Sequence, residues 1–194
     1  FSFIYTLLSM KDEIQKDKEL QELIADCILQ KRKAQHRLFK RYYSSLFGVC
    51  IRYSSCYEEA EDILNEGFLK IFSHLETYQA HGSFFGWLKR IIVNTAIDHQ
   101  RKNKVAQETV QYEFVDESLT SYEENAAIGK MSGDEILKLV QELPAVSRQV
   151  FNLYVFEDYS HAEIAALLNM KEGTSHWHLN FARTKLKEKI KERQ

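Results

Sequence analysis

A single proline (Pro144) and seven glycines in 194 residues leave too few turn-makers for an all-β protein, which needs a turn about every ten residues. The three cysteines, Cys27, Cys50 and Cys56, are odd in number and lack any CxxC or Cys/His metal spacing. They read as reduced thiols of a cytoplasmic protein rather than a disulfide framework or a metal site. No apolar run is long enough to span a bilayer. The opening "FSFIYTLLSM" has no basic n-region and no A-x-A-like cleavage site, so it is not a secretory signal. Met10, followed by "KDEIQKDKELQE", looks like a natural start, and residues 1–9 are expected to be an upstream extension. With no targeting segment the chain is expected in the cytoplasm.

The net charge of −2 conceals an uneven distribution. Lys31, Arg32, Lys33, Arg37, Lys40, Arg41 and Arg52 follow one another with no acid among them. Between Val105 and Gly129 the sign inverts, with Glu108, Glu113, Asp116, Glu117, Glu123 and Glu124 and no Lys or Arg; from Arg183 onward the chain is basic again. Two basic bodies joined by an acidic tether point to anionic partners more than the total charge does.

The patterned segments repeat at helical spacing. Leu20 to Leu29 begins one, and "AQHRLFKRYYSSLFGVCIRY" continues another rich in aromatics. In "YEEAEDILNEGFLKIFSHLETY", Ile63, Leu64, Gly67, Phe68, Ile71, Phe72 and Leu75 form a wide apolar stripe. After the break "AHGSF", the segment "FGWLKRIIVNTAIDHQRKNK" turns Leu88, Ile91, Ile92, Thr95 and Ala96 inward. The polar stretch after it has no trustworthy stripe and reads as a linker with one short helix near its end. "DEILKLVQEL" is helical again, and Pro144 opens the next helix at a first-turn position. Ser160 and Glu163 are spaced as a capping box, and Asn169 stands where a left-handed cap should end that helix. Lys171-Glu172-Gly173-Thr174 then opens a last, basic helix. Two helices joined by so short a turn have the helix-turn-helix layout. The fold class is therefore all-α: two small helical domains joined by a flexible linker, the C-terminal one a helix-turn-helix.

Three surfaces carry candidate chemistry. Asp62, Asn65, Glu66 and Leu69 stand at i, i+3, i+4 and i+7, opposite the buried stripe; a leucine framed by carboxylates resembles a partner-binding patch. No nucleophile accompanies the carboxylates at usable spacing, so an active site is not expected. In the next helix Arg90, Asn94, Ile97 and Arg101 share a face near Asp98, Lys102 and Lys104, preceded by Phe84, Phe85 and Trp87. Rings beside cations suit single-stranded nucleic acid, since rings stack on bases while cations hold phosphates; at least one of the three rings is expected to be core. On the last helix Ser175, Leu179, Ala182 and Leu186 share the inner stripe, while His176, Trp177, Asn180, Phe181 and Thr184 lie outward beside Arg183 and Lys185. Asn and Arg can read base edges and Lys can meet phosphate. The alternative is that Trp177 and Phe181 pack on another helix of the same domain. His176 and His178 diverge by roughly 200° on a helix, so no zinc site is expected.

In this order the pieces resemble a bacterial RNA polymerase sigma factor of the extracytoplasmic-function group of the sigma-70 family. "AEDILNEGFLKIF" resembles the family's core-binding helix, "FFGWLKRIIVNTAIDHQRK" its promoter-melting segment, and the run from "ELPAVSRQVF" to "LKEKI" its helix-turn-helix. The resemblance implies a factor that catalyses no reaction, needs no cofactor and takes no small-molecule substrate. Its partners would be core RNA polymerase, promoter DNA and a membrane-associated anti-sigma factor. Residues 1–21 would be an N-terminal extension, 22–104 the domain for core binding and the −10 element, 105–130 the acidic linker and 131–194 the domain for the −35 element. Asp62, Asn65, Glu66 and Leu69 would bind the core. Trp87, Arg90, Asn94, Asp98, Arg101 and Lys102 would engage the melted −10 strand. Thr174, His176, Trp177, His178, Asn180, Phe181, Arg183 and Lys185 would meet the −35 element.

Some positions depart from the family pattern. Lys171 stands where many members have a Ser or similar cap, Ser175 replaces the usual Val and is expected to weaken packing, and His176-Trp177-His178 replaces a more basic triplet. The rival readings are a stand-alone helix-turn-helix regulator, which would need a dimerisation or sensing domain, and a helical adaptor that binds only proteins.

Overall fold

The computed structural model describes residues 18–79, 82–106 and 133–192. Most of the N-terminal extension and of the acidic linker, with its expected short helix, lies outside the described residues. Within them every regular element is helical: α1 (18–28), α2 (Arg32–Tyr53), α3 (Tyr57–His74) with a 3₁₀ turn at Leu75–Thr77, α4 (Phe84–Ala106), α5 (Gly133–Gln141), α6 (Ala145–Val155), α7 (His161–Leu168) and α8 (Glu172–Glu192). The all-α expectation holds. The chain groups into two compact units. Among the described residues, one contains those up to Cys50 and those between Glu61 and Thr95; the other contains Ile51–Ala60 and those from Ala96 onward.

The first unit is built on rings. Phe39 of α2 packs on Phe68 of α3 with centroids 4.5 Å apart, and Phe84 at the start of α4 meets Tyr42 at 5.7 Å and Tyr78 at 4.9 Å. The stripe read along α3 is buried at Ile63, Leu64, Phe68, Ile71 and Leu75. Gly67 interrupts it for a steric reason: a Cβ there would run into Cδ1 of Ile92 on α4. The break before α4 contains Gly82 at φ +85°, a conformation that favours glycine. On α4, Leu88, Ile92, Thr95 and Ala96 are buried as expected, with the Thr95 hydroxyl donating to the Ile91 carbonyl at 2.8 Å.

In the second unit α8 packs against α5, α6 and α7. Val140, Leu143 and Ala182 form a buried cluster, with Phe151 and Leu186 against it. A second set of contacts is polar. Buried Arg148 donates to the Gln141 carbonyl at 2.7 Å and to Ser55 Oγ at 3.1 Å. Buried Asn152 donates to the Arg52 carbonyl at 2.6 Å, and Arg52 pairs with Glu157 at 3.0 Å. Hydrogen bonds of this kind are what make polar burial tolerable.

The helix-turn-helix is punctuated as the sequence indicates. Ser160 caps α7 and exchanges both capping-box hydrogen bonds with Glu163; Asn169 closes the helix in the left-handed region at φ 53°, ψ 53°. Pro144 sits one position earlier than expected, as the residue flanking α6, with its carbonyl accepting from Arg148 N at 2.9 Å. Ser160→Ala removes the acceptor for the Glu163 N–H and should cost about 1 kcal/mol. A thermal melt should show a drop of roughly 4–8 °C; an unchanged midpoint would mean that water replaces the cap without loss.

Candidate partner and nucleic-acid interfaces

On α3 the face opposite the buried stripe carries all four residues of the first candidate patch. Asp62 and Asn65 are exposed, Glu66 is half-buried, and Leu69 is 72% exposed. That figure separates Leu69 from the leucines around it, since Leu64 and Leu75 are 1% exposed. Glu66 also holds Lys70 at 3.2 Å across one helical turn. The patch is thus a leucine in a carboxylate frame, with one carboxylate already balanced by a cation.

The second candidate set lies along α4. Trp87 is half-buried: its indole stacks on Phe84 at 5.9 Å and meets Tyr78 at 5.5 Å. Of the three rings before the basic helix, Phe84 is the core one; Phe85 is half-buried and stacks on Tyr42 at 6.2 Å. Arg90, Asn94 and Lys102 are exposed. Arg101 is exposed but engaged, its guanidinium donating to the Leu167 carbonyl and lying 3.8 Å from Asp98. Ile97 departs from expectation. It does not share the outward face of Arg90 and Asn94 but is 1% exposed. Val93, Ile97 and Gln100 form a second buried row at i, i+4 and i+7, ending where the Gln100 amide donates to the Tyr53 carbonyl. The buried arc of α4 is therefore wider than its most apolar stripe.

The third set is on α8. Ser175, Leu179 and Ala182 are buried, which fixes the inner face as read. His176, Asn180 and Thr184 are exposed, whereas Thr174, Trp177, His178, Phe181, Arg183 and Lys185 are half-buried. Trp177 and Phe181 stack on each other at 5.2 Å, and Lys185 lies 6.0 Å from the Phe181 ring while bonding Glu188 at 2.8 Å. That carboxylate holds the Lys185 ammonium above its ordinary pKa. His178 does not present itself beside His176: its Nδ1 meets Ser147 Oγ on α6 at 2.9 Å, and its ring stands edge-on to Trp177. The divergence of the two histidines follows from the 3.6-residue turn.

The expected weakening at Ser175 is corrected by its surroundings. Its hydroxyl bonds His161 Nδ1 at 2.9 Å, so the polar group in the apolar stripe is satisfied. His161 was not legible as a site residue, because its partners lie on α6 and α8. The only local signal was its place directly after the capping Ser160. No group of three His, Cys, Asp or Glu side chains among the described residues could hold a metal ion. All three cysteines are unbridged, and burial with the nearby Asp26 carboxylate pushes the Cys27 thiol up to about 11.

Comparison with known proteins assigns both halves. Residues 38–105 match Sigma-70 region 2 and residues 133–186 match Sigma-70 region 4, together more than half of the chain. The ECF RNA polymerase sigma factor SigW of Bacillus subtilis is 27% identical over 160 residues, covering 78% of this chain and 86% of that protein. The RNA polymerase sigma-H factor of Pseudomonas aeruginosa is 26% identical, covering 74% and 79%. Among solved structures, the sigma factor RpoE bound to the anti-sigma factor NepR from Bartonella quintana shares the fold. Its TM-score is 0.51 at 21% identity, over 80% of this chain and 96% of that one. With region 2 spanning the outward leucine patch of α3 and the ring-and-cation helix α4, and region 4 spanning the helix-turn-helix, the chain belongs to the sigma-70 family of RNA polymerase sigma factors.

Proposed function

We propose that this chain, as an extracytoplasmic-function sigma factor, joins core RNA polymerase through α3 and directs initiation at promoters with −10 and −35 elements. An anti-sigma factor anchored at the membrane holds it inactive in the cytoplasm until a signal releases it. The observation that carries the reading is the presence of regions 2 and 4, in that order, in one chain. A stand-alone helix-turn-helix regulator has no use for the first of them. Asp62, Asn65, Glu66 and Leu69 form the core contact. Trp87, Arg90, Asn94, Asp98, Arg101 and Lys102 handle the melted −10 strand, with the half-buried Trp87 as the ring for stacking. Thr174, His176, Trp177, Asn180 and Phe181 bias base choice, His178 supports them from the side, and Arg183 and Lys185 meet phosphates.

The experiment is reconstituted transcription with core polymerase and a promoter library. Added chain should produce promoter-specific transcripts that core alone does not. DNA binding without polymerase recruitment would favour the stand-alone regulator. Within the same assay Arg183→Ala should weaken binding to every promoter and lower the salt slope by roughly one unit. A variant with an unchanged slope places Arg183 away from phosphate.

A further inference from the structure

His161, the first residue of α7, ties together three helices that no sequence pattern connects. Its Nδ1 bonds Ser175 Oγ at 2.9 Å. Its ring stacks on His176 at 3.6 Å with planes 29° apart and on Tyr154 of α6 at 4.7 Å with planes 27° apart. Arg183, seven residues after His176 on α8, places its guanidinium 5.6 Å from the Tyr154 ring. We propose that His161 is a positioning residue for promoter recognition, setting the rotation of α8 and the presentation of His176 to the −35 base pairs. The proposal rests on the reading that α8 lies at the −35 element.

Three observations support it. The backbone of His161 is itself held, because the preceding Ser160 exchanges both capping-box hydrogen bonds with Glu163. Ser175 is 0% exposed, and a hydroxyl in an apolar stripe is costly unless hydrogen-bonded. His161 and Ser175 therefore act as a pair, each satisfying the other, in place of an apolar contact. The ring stacked on His161 belongs to an exposed residue on the same face as Asn180 and Thr184, so the order imposed at His161 reaches the surface that would read bases. Recognition groups need such support to hold their geometry to a fraction of an ångström.

The stack also has a preferred charge state. The groups facing His161 are Tyr154 from α6 and Glu172, His176 and Arg183 from α8. Burial, His176 and Arg183 pull its pKa below the ordinary histidine value, while Glu172 opposes them. The neutral ring is the one that stacks. Its contribution is present above the unfolded-state pKa of about 6.5 and is lost as pH falls through the lower folded-state value. Acidification strengthens general attraction to phosphate, so the informative quantity is selectivity between −35 sequences rather than affinity.

The test is selection from a randomised −35 library by reconstituted holoenzyme at two pH values, one near neutrality and one below the histidine range. Wild type should lose −35 selectivity at the lower pH. His161→Leu should lose it already at neutral pH, by roughly fivefold at the base positions that His176→Ala also relaxes, the low end of one lost base contact. His161→Asn, which keeps a group able to bond Ser175, should retain part of the selectivity and lose a smaller share of it than wild type at the lower pH. His161→Leu/Ser175→Val restores an apolar contact and keeps the comparison valid if the single variant folds poorly; it should melt like wild type yet select as loosely as His161→Leu. Either leucine variant, folded and selecting wild-type sequences at wild-type strength, overturns the positioning role. A wild-type holoenzyme that selects no −35 sequence at all instead overturns the reading of α8, and the proposal with it.

Discussion

Replacing Asp62 by Lys and Leu69 by Asp together should weaken assembly with core polymerase by about 1–3 kcal/mol, roughly 5- to 150-fold in affinity. The two changes act on different parts of the patch. Leu69 is the exposed apolar group available for burial against a partner, and Asp62 is an exposed carboxylate on the same face. Neither belongs to the buried stripe of α3, so far-ultraviolet circular dichroism and the melting midpoint should stay near wild type. Glu66 is a less clean probe. Its carboxylate pairs with Lys70, and Glu66→Lys would set two ammoniums one turn apart, costing the helix itself a few tenths of a kcal/mol. Glu66→Gln separates the two effects. Titration of labelled core polymerase measures the change, and undiminished affinity in the double variant would remove α3 from the contact.

Filling the space at Gly67 should do more damage, because it acts on the first unit as a whole. Here α3 approaches α4 closely enough that a Cβ would strike Ile92 Cδ1. For alanine the clash is with the far end of the Ile92 side chain, which must shift, and the helix gains up to about 1 kcal/mol in propensity, so Gly67→Ala should cost less than Gly67→Leu. Gly67→Leu adds three further carbons against a fully buried Ile92 and has no such relief. Overpacking of this kind costs about 1–3 kcal/mol and occasionally more, and each kcal/mol lowers the midpoint of a small domain by about 4–8 °C. Under the proposed function, core binding and −10 recognition should fall together, since both proposed surfaces ride on the displaced helices. Thermal melts of the three proteins test this; a Gly67→Leu variant that melts with wild type would show that α3 and α4 can move apart at little cost.

The helical class, the stripe along α3, the inner face of α8, the capping box at Ser160 and Glu163 and the left-handed stop at Asn169 were all determined by the sequence alone. Each depends on residues a few positions apart on one element, where the 3.6-residue turn converts spacing into geometry. The outward position of Leu69 follows from the same rule, because among the described residues no second element packs on the face of α3 opposite its buried stripe at that position, where Leu69 is 72% exposed. What lies across from an element obeys no such rule. Ile97 reads as outward on its own helix and is buried in the structure, because the wheel gives the centre of the buried arc and not its width. His178 is turned to Ser147, and Arg101 reaches the Leu167 carbonyl, through partners 31 and 66 residues away in the chain. Ser175 reads as a packing defect until His161, fourteen residues earlier, is brought against it. Local periodicity states which face of a helix avoids water; only the tertiary structure decides which distant side chain meets that face, because such a contact depends on where two or three helices cross and not on any repeat within one of them.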